Sequence, residues 1–407
     1  MTRVGFLFNH YATHQVPHAA PYAFELSRRH PEIEVTIAAS SDAELASAAR
    51  IGELYPGHRC TLLRLRTAWW YGPLDPIVSR FAFARKDRIL ADNLAFFAGL
   101  DALVAPERHC RRLRTTHRLS KPRLNHTRHG AGDREGTSDA TMGLFDLVLL
   151  PGRKYADRFS SLGYLRPGQY VIAGWPKFEV VQAFNPIRRR LFPNDNPVVV
   201  YNPHFDQRIG SWARMGRSVL DFFVANPGYN LVFAPHVVLF KRRWRHRAAL
   251  PDKYRRAPNI LIDTDSEALA DMTYLNAADV YLGDVSSQVY EFLIRPRPCI
   301  FLDAHGVDWE RDANYAHWHF GPVVTDVARD LGPRLADAVA SHARFLPAQR
   351  RGFDETFHQE PASTAAQRGA DAIAAFLRGE SQSQGRTRLP ADPSLAGDAA
   401  GEALSDR

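Results

Sequence analysis

The sequence predicts an α/β protein built as two doubly wound, parallel-sheet halves facing a cleft. Three observations carry this. The chain has 407 residues, more than one core ordinarily serves, so two domains are expected. Short continuous apolar runs alternate with amphipathic stretches, as for strands buried on both faces and separated by helices. Gly283-Asp284-Val285-Ser286-Ser287 lies between a strand-like and a helix-like run, the junction where open α/β sheets take ligands.

The elements follow in chain order. Val4–Phe8 is read as the first core strand; it ends at Asn9-His10, too soon for a signal peptide. Tyr22–Arg29 has helical spacing, and Val35–Ala39 is strand-like again. Further strands are expected at Ala102–Ala105, Leu147–Leu150 and Tyr170–Ala173. The halves divide at Gly174-Trp175-Pro176 or within Pro193–Pro197. Beyond lie Val198–Tyr201, Leu231–Ala234, Ile260–Ile262, Val280–Leu282 and Cys299–Leu302. The expected domains are 1–175 and 176–360, followed by a helix over 361–378. Residues 379–407 are rich in Gly, Ser, Pro, Asp and Ala without apolar periodicity, and are expected to be a disordered tail.

Hydrophobic residues are 45% of the chain and charged residues 24%, an ordinary globular balance. The formal net charge of +8 favours anionic partners. Cys60, Cys110 and Cys299 are far apart, which argues against a disulfide framework or a zinc site and for a reduced, cytoplasmic setting. No cofactor or metal is expected. No segment reaches the roughly 18 apolar residues of a membrane span, so membrane contact is expected to be peripheral.

Gly283–Ser287 is the strongest motif. Ser286 and Ser287 fall at a helix start, where free N–H groups attract phosphate oxygens. Simple capping by Asp284 or Ser286 is the plainer explanation of such a run. The preceding parallel strand favours phosphate binding, and Glu291, one turn into a helix read over Gln288–Ile294, is placed to meet a ribose. His129-Gly130-Ala131-Gly132-Asp133 comes second. Its next glycine, Gly136, is one residue too far for a dinucleotide fingerprint, and no strand is read just before it. Eight Lys/Arg and no acid lie between Arg108 and Arg128, so His129 is expected in a positive field. Pro235-His236 and Pro203-His204 each end a strand, where a histidine can reach the cleft; singly each reads as a structural histidine, and the pair together is more suggestive.

Other motifs carry less. Asp263-Thr264-Asp265 precedes Ser266-Glu267-Ala268-Leu269 and reads as a helix cap rather than a metal site. His10, His14 and His18 are spaced by four, but Pro17 and Pro21 oppose a long helix, so a cleft-facing loop is expected. Arg64–Arg88, with Trp69, Trp70, Tyr71, Phe81 and Phe83, and the basic run Lys241–Arg256 suit a membrane interface, an RNA surface or a solvated face. Neither a nucleophile elbow nor a P-loop is present in the sequence.

Taken in order, these motifs resemble the CDP-glycerol glycerophosphotransferase family, the teichoic-acid primases and polymerases. The resemblance runs over about residues 100–378 through His129-Gly130, Gly174–Lys177, Tyr201–His204, Pro235-His236, Asp284–Ser287 and Arg297–Phe301. It implies a GT-B fold of two Rossmann-like domains. It also implies transfer of glycerol phosphate from CDP-glycerol to a hydroxyl of a cell-envelope glycan or lipid-linked acceptor, with release of CMP. Nucleic acid is not an expected partner, and the inner face of the cell membrane is the expected place of any peripheral contact. By this resemblance His129 and His236 match two essential histidines, and Asp284, Ser286 and Ser287 match the donor-phosphate loop. Glu291, Pro235 and His204 complete the expected donor site; Gly130, Gly132 and Asp133 line the cleft. The chain departs from the family pattern at Ala131–Arg134, at Val285 and at Ala362-Ser363. A nucleotide-sugar glycosyltransferase or epimerase on the same fold is the alternative activity.

Overall fold

The structure is a computed structural model that describes residues 1–9, 13–67, 84–134, 139–185, 189–240 and 250–380. Two parallel sheets form two lobes. The first has seven strands: β1 (Thr2–Phe8), β2 (Ile33–Ala39), β3 (Thr61–Arg64), β4 (Ala102–Ala105), β5 (Arg123–Thr127), β6 (Leu147–Leu150) and β7 (Tyr170–Ile172). The second has six: β8 (Val198–Asn202), β9 (Asn230–Phe233), β10 (Ile260–Ile262), β11 (Val280–Gly283), β12 (Cys299–Leu302) and β13 (Val323–Val324).

The strand orders are β3-β2-β1-β4-β5-β6-β7 and β10-β9-β8-β11-β12-β13, both of the doubly wound kind. Each order reverses once, between β1 and β4 and between β8 and β11. Side chains just beyond those strands are therefore thrown into a crevice at the carboxyl edge. Both faces of each sheet are covered, by clusters around Phe6–Ile37 and Leu103–Val148 in one lobe and around Val200–Phe301 and Tyr201–Ile300 in the other.

All the strands expected from apolar runs are present, and β3, β5 and β13 are additions. β5 corrects the expectation that no strand precedes His129. Its sequence, Arg-Leu-Asn-His-Thr, reads as polar, yet Asn125, His126 and Thr127 are buried. Pairing with β4 and β6 and the His126 Nδ1 bond to the Ala105 carbonyl at 2.9 Å hold it in the core. The helix after Ser287 also stops earlier than expected, spanning Gln288–Phe292.

The chain passes from the first sheet to the second between β7 and β8, by way of Gly174, whose φ of +97° is a backbone state that glycine adopts without strain. It returns through Phe357–Thr364, and the helix Ala365–Arg378 packs on the first lobe against the helix Ala20–Arg29. Ala366, Ala370 and Ile373 join that lobe's core, and Asp371 accepts two hydrogen bonds from Arg29. The basic–aromatic stretch at 68–83, the run 241–249, His10, Gly136 and the tail from 381 lie outside the described residues. Among the described residues no helix is long and apolar enough to cross a membrane.

Candidate active site between the two lobes

His129 stands two residues beyond β5. Its Nδ1 lies 2.7 Å from the Pro106 carbonyl, at the end of neighbouring β4. A carbonyl only accepts, so Nδ1 carries the proton and Nε2 of the neutral ring presents a lone pair. The Gln15 amide donates to that Nε2 at 3.2 Å. Gln15 belongs to the 3-10 turn Thr13–His18 that follows β1. His14 and His18 of the same turn pack edge-on against His129, with ring centroids 6.1 and 6.5 Å away. In place of the expected cleft-facing loop, this segment is a 3-10 turn on which His18 is buried against Trp175. Burial brings the His129 pKa down to about 4, and the charges of Arg128, Arg108 and Lys86 help against the Pro106 bond. The field is weaker than the sequence run alone suggests, because carboxylates from elsewhere pair with Arg112, Arg114 and Lys121.

Asp284, Ser286 and Ser287 follow β11 in the second lobe. Asp284 is buried and satisfied: it accepts from the His204 amide at 2.9 Å, the Val285 amide at 2.6 Å, and Ser211 through its amide at 2.6 Å and its hydroxyl at 2.8 Å. Burial raises its pKa despite those bonds. Its carboxylate therefore ties the loop after β8 to the loop after β11. Ser286 is buried as well, whereas Ser287 is half-exposed and makes no capping bond with its side chain.

The two segments, about 150 residues apart in sequence, meet. A Cβ placed on Gly132 would lie 3.2 Å from the Ser287 Cβ. The neighbouring Asp133 is buried and spans the lobes. Its Oδ1 takes the Tyr290 hydroxyl at 2.6 Å and Lys154 Nζ at 3.0 Å; its Oδ2 faces the His317 amide at 2.9 Å and His317 Nδ1 at 2.7 Å. Burial opposes ionisation of Asp133, but Lys154 and the His317 and Tyr290 bonds hold its carboxyl well below the usual range. Gly130 and Gly132 both offer carbonyls to the Tyr155 hydroxyl, at 3.4 and 2.8 Å.

His204 and His236, at the ends of β8 and β9, lie side by side with centroids 5.7 Å apart and Phe205 against both. Burial first, then His236 and Arg134, bring the His204 pKa down to about 3. Pro235 is buried. Glu291 is buried, with both oxygens 2.7 Å from Lys177 Nζ and a bond from Trp175 Nε1 at 3.2 Å. His129 and His236 thus sit in two separate histidine groups, one on each lobe.

Sequence reasoning missed Gln15, Pro106, Lys154, Tyr290 and His317. Tertiary contact alone brings them in. A signal existed only for His317, which sits in the dense ring-bearing run Tyr315–Phe320. Asp263 accepts from the Asp265 and Ser266 amides and from Tyr274, while the cap of the short 3-10 turn Glu267–Leu269 is Ser266 rather than Asp263. Among the described residues no group of three or more His, Cys, Asp or Glu is arranged to hold a metal.

Solved structures with this fold exist. The wall teichoic acid polymerase TagF aligns over 93% of this chain and 89% of its own, at 13% identity and a TM-score of 0.59. A putative UDP-N-acetylglucosamine 2-epimerase from Listeria monocytogenes aligns over 93% and 97%, at 13% identity and a TM-score of 0.60. The UDP-GlcNAc 2-epimerase from Neisseria meningitidis, bound to UDP-GlcNAc, aligns over 93% and 100%, at 13% identity and 0.52. The fold is GT-B. No family model matches the chain, and no curated protein matches it in sequence.

Proposed function

We propose that this protein is a transferase that moves glycerol phosphate, or a similar polyol phosphate, from a CDP-activated donor to a hydroxyl acceptor, releasing CMP. One observation carries the proposal: a neutral histidine whose Nε2 lone pair accepts from the Gln15 amide stands on one lobe, and its glycine loop abuts Ser287 of the other lobe's strand-end loop. The contact between the loop that carries His129 and the loop expected to bind the anion supports a site where base and phosphate meet, as a two-substrate transfer requires.

The donor diphosphate lies against the Ser287 hydroxyl, with Asp284 and the buried Ser286 holding the loop in shape. His204 and His236 face the same anion, and Glu291 with Lys177 closes the nucleoside side. The acceptor hydroxyl displaces Gln15 at His129 Nε2. As its oxygen attacks the distal phosphorus, its proton passes to Nε2. The phosphorus–oxygen bond to CMP breaks, and CMP leaves with the electron pair. The Pro106 carbonyl bonded to Nδ1 supports the imidazolium that forms, and a positioned base of this kind contributes about 10²–10⁴-fold. A dianionic donor also raises the His129 pKa from its low resting value toward neutrality, where a base works best. The acceptor belongs to the cell-envelope glycan or lipid-linked class, met at the membrane's inner face.

A nucleotide-sugar epimerase or glycosyltransferase is the second reading, favoured by the likeness to the two epimerases. Incubation with labelled CDP-glycerol, CDP-ribitol and UDP-GlcNAc separates the two. Release of CMP from a CDP-polyol supports the proposal; epimerisation or cleavage of UDP-GlcNAc without CMP release overturns it.

A further inference from the structure

The Gln15 carboxamide is held one way round by the chemistry of His129. The Pro106 carbonyl at 2.7 Å fixes the proton on His129 Nδ1, so Nε2 offers a lone pair. Only the NH₂ end of Gln15 can face that lone pair, at 3.2 Å. The oxygen end is left over. Gln15 is 2% exposed, and its Oε1 is buried with no hydrogen-bond partner. His18, on the same turn and 3% exposed, adds a second such atom: its Nδ1 is buried and unpartnered.

Atoms in this condition are uncommon in folded proteins, because an unmet buried acceptor forfeits the hydrogen bond that water would supply. Here two sit on one short turn, beside the imidazole read as the base. The NH₂ end of Gln15 is accounted for by His129. The oxygen end is accounted for by a partner that arrives when the side chain moves. A carboxamide sets a donor and an acceptor side by side. A hydroxyl with a second hydroxyl on the next carbon presents the matching pair, an oxygen that accepts and an O–H that donates.

We propose that Gln15 reads the acceptor, and that the acceptor is a vicinal diol. This rests on the proposed transfer, in which a hydroxyl takes the place of Gln15 at His129 Nε2. The attacking hydroxyl donates to Nε2 and accepts from the Gln15 NH₂ as that side chain swings aside. The neighbouring hydroxyl donates to Gln15 Oε1, which gains its missing partner. An acceptor with an isolated hydroxyl leaves Oε1 unmet and binds more weakly for that reason.

Glycerol and 1,3-propanediol test this, since they differ only in the hydroxyl on the middle carbon. The first experiment uses no donor. Each alcohol is titrated into the full chain with ¹⁵N-labelled imidazoles, and the His129 Nε2 signal, assigned by its loss in His129→Ala, is followed. In wild type, glycerol is expected to move that signal at concentrations about tenfold or more below those of 1,3-propanediol, and Gln15→Leu is expected to bring the two together. Equal responses in wild type, no response to either alcohol, or a preference kept in Gln15→Leu overturns the inference. The second experiment follows transfer from labelled CDP-glycerol to the same alcohols, where kcat/KM should show the same preference and the same loss; equal kcat/KM for the two in wild type also overturns it. Absence of any transfer from CDP-glycerol overturns the proposed donor instead, and the titration still decides the role of Gln15.

Discussion

Lys177→Met is the substitution whose cost the structure sets most clearly. Lys177 Nζ lies 2.7 Å from Glu291, and the two side chains are 6% and 7% exposed. At an effective dielectric near 20, unit charges this close attract by about 6 kcal/mol, and desolvation on burial offsets much of that. Removing the cation reverses the balance: the carboxylate stays buried with only the 3.2 Å Trp175 bond. The expected loss is about 3–5 kcal/mol. The double variant Lys177→Met/Glu291→Gln buries no ion, so it should lose less than Lys177→Met alone. Urea unfolding followed by tryptophan fluorescence is the assay, because Trp175 touches the pair. The lobes can unfold in separate transitions, so the transition to compare is the one these variants move. A single variant within about 1 kcal/mol of wild type, or a double variant worse than the single, would refute the reasoning.

Three further outcomes are expected. Gly174→Ala forces a side chain into φ +97° and sets its Cβ 2.8 Å from the His358 carbonyl, so it should destabilise by more than about 1 kcal/mol in the same unfolding assay. Gly132→Val pushes branched carbons past the 3.2 Å approach to Ser287 and should weaken CMP binding by about tenfold or more. The base must be deprotonated to act, and its pKa is about 4, so the acid limb of kcat/KM should fall near that pH rather than near 6.5. In kcat, which reports the donor-bound state, the same limb should lie higher.

The doubly wound fold was legible because its central strands are continuous apolar runs such as Val198–Tyr201 and Val280–Leu282, which local pattern alone identifies. β5 was not, since Asn125 and His126 are polar residues satisfied or enclosed by neighbouring strands, and periodicity carries no sign of that. β13 has two residues and β3 lies at a sheet edge with half-buried side chains, so neither shows an apolar run. In the site, the glycine and serine loops were legible as strand-end junctions. Their mutual contact was not, because it depends on how the lobes sit together. Asp133 illustrates the difference: its type fits a cleft residue, but its partners Lys154, Tyr290 and His317 come from three separate elements. Glu291 likewise suggested a ribose contact, while its buried partner Lys177 lies 114 residues away.

The most direct measurement pairs CMP binding with turnover of labelled CDP-glycerol in His129→Ala. If the imidazole is the base and the opposite lobe holds the nucleotide, CMP affinity should stay within about twofold of wild type while turnover falls by about 10²-fold or more. Turnover at the wild-type rate in that variant would contradict the account.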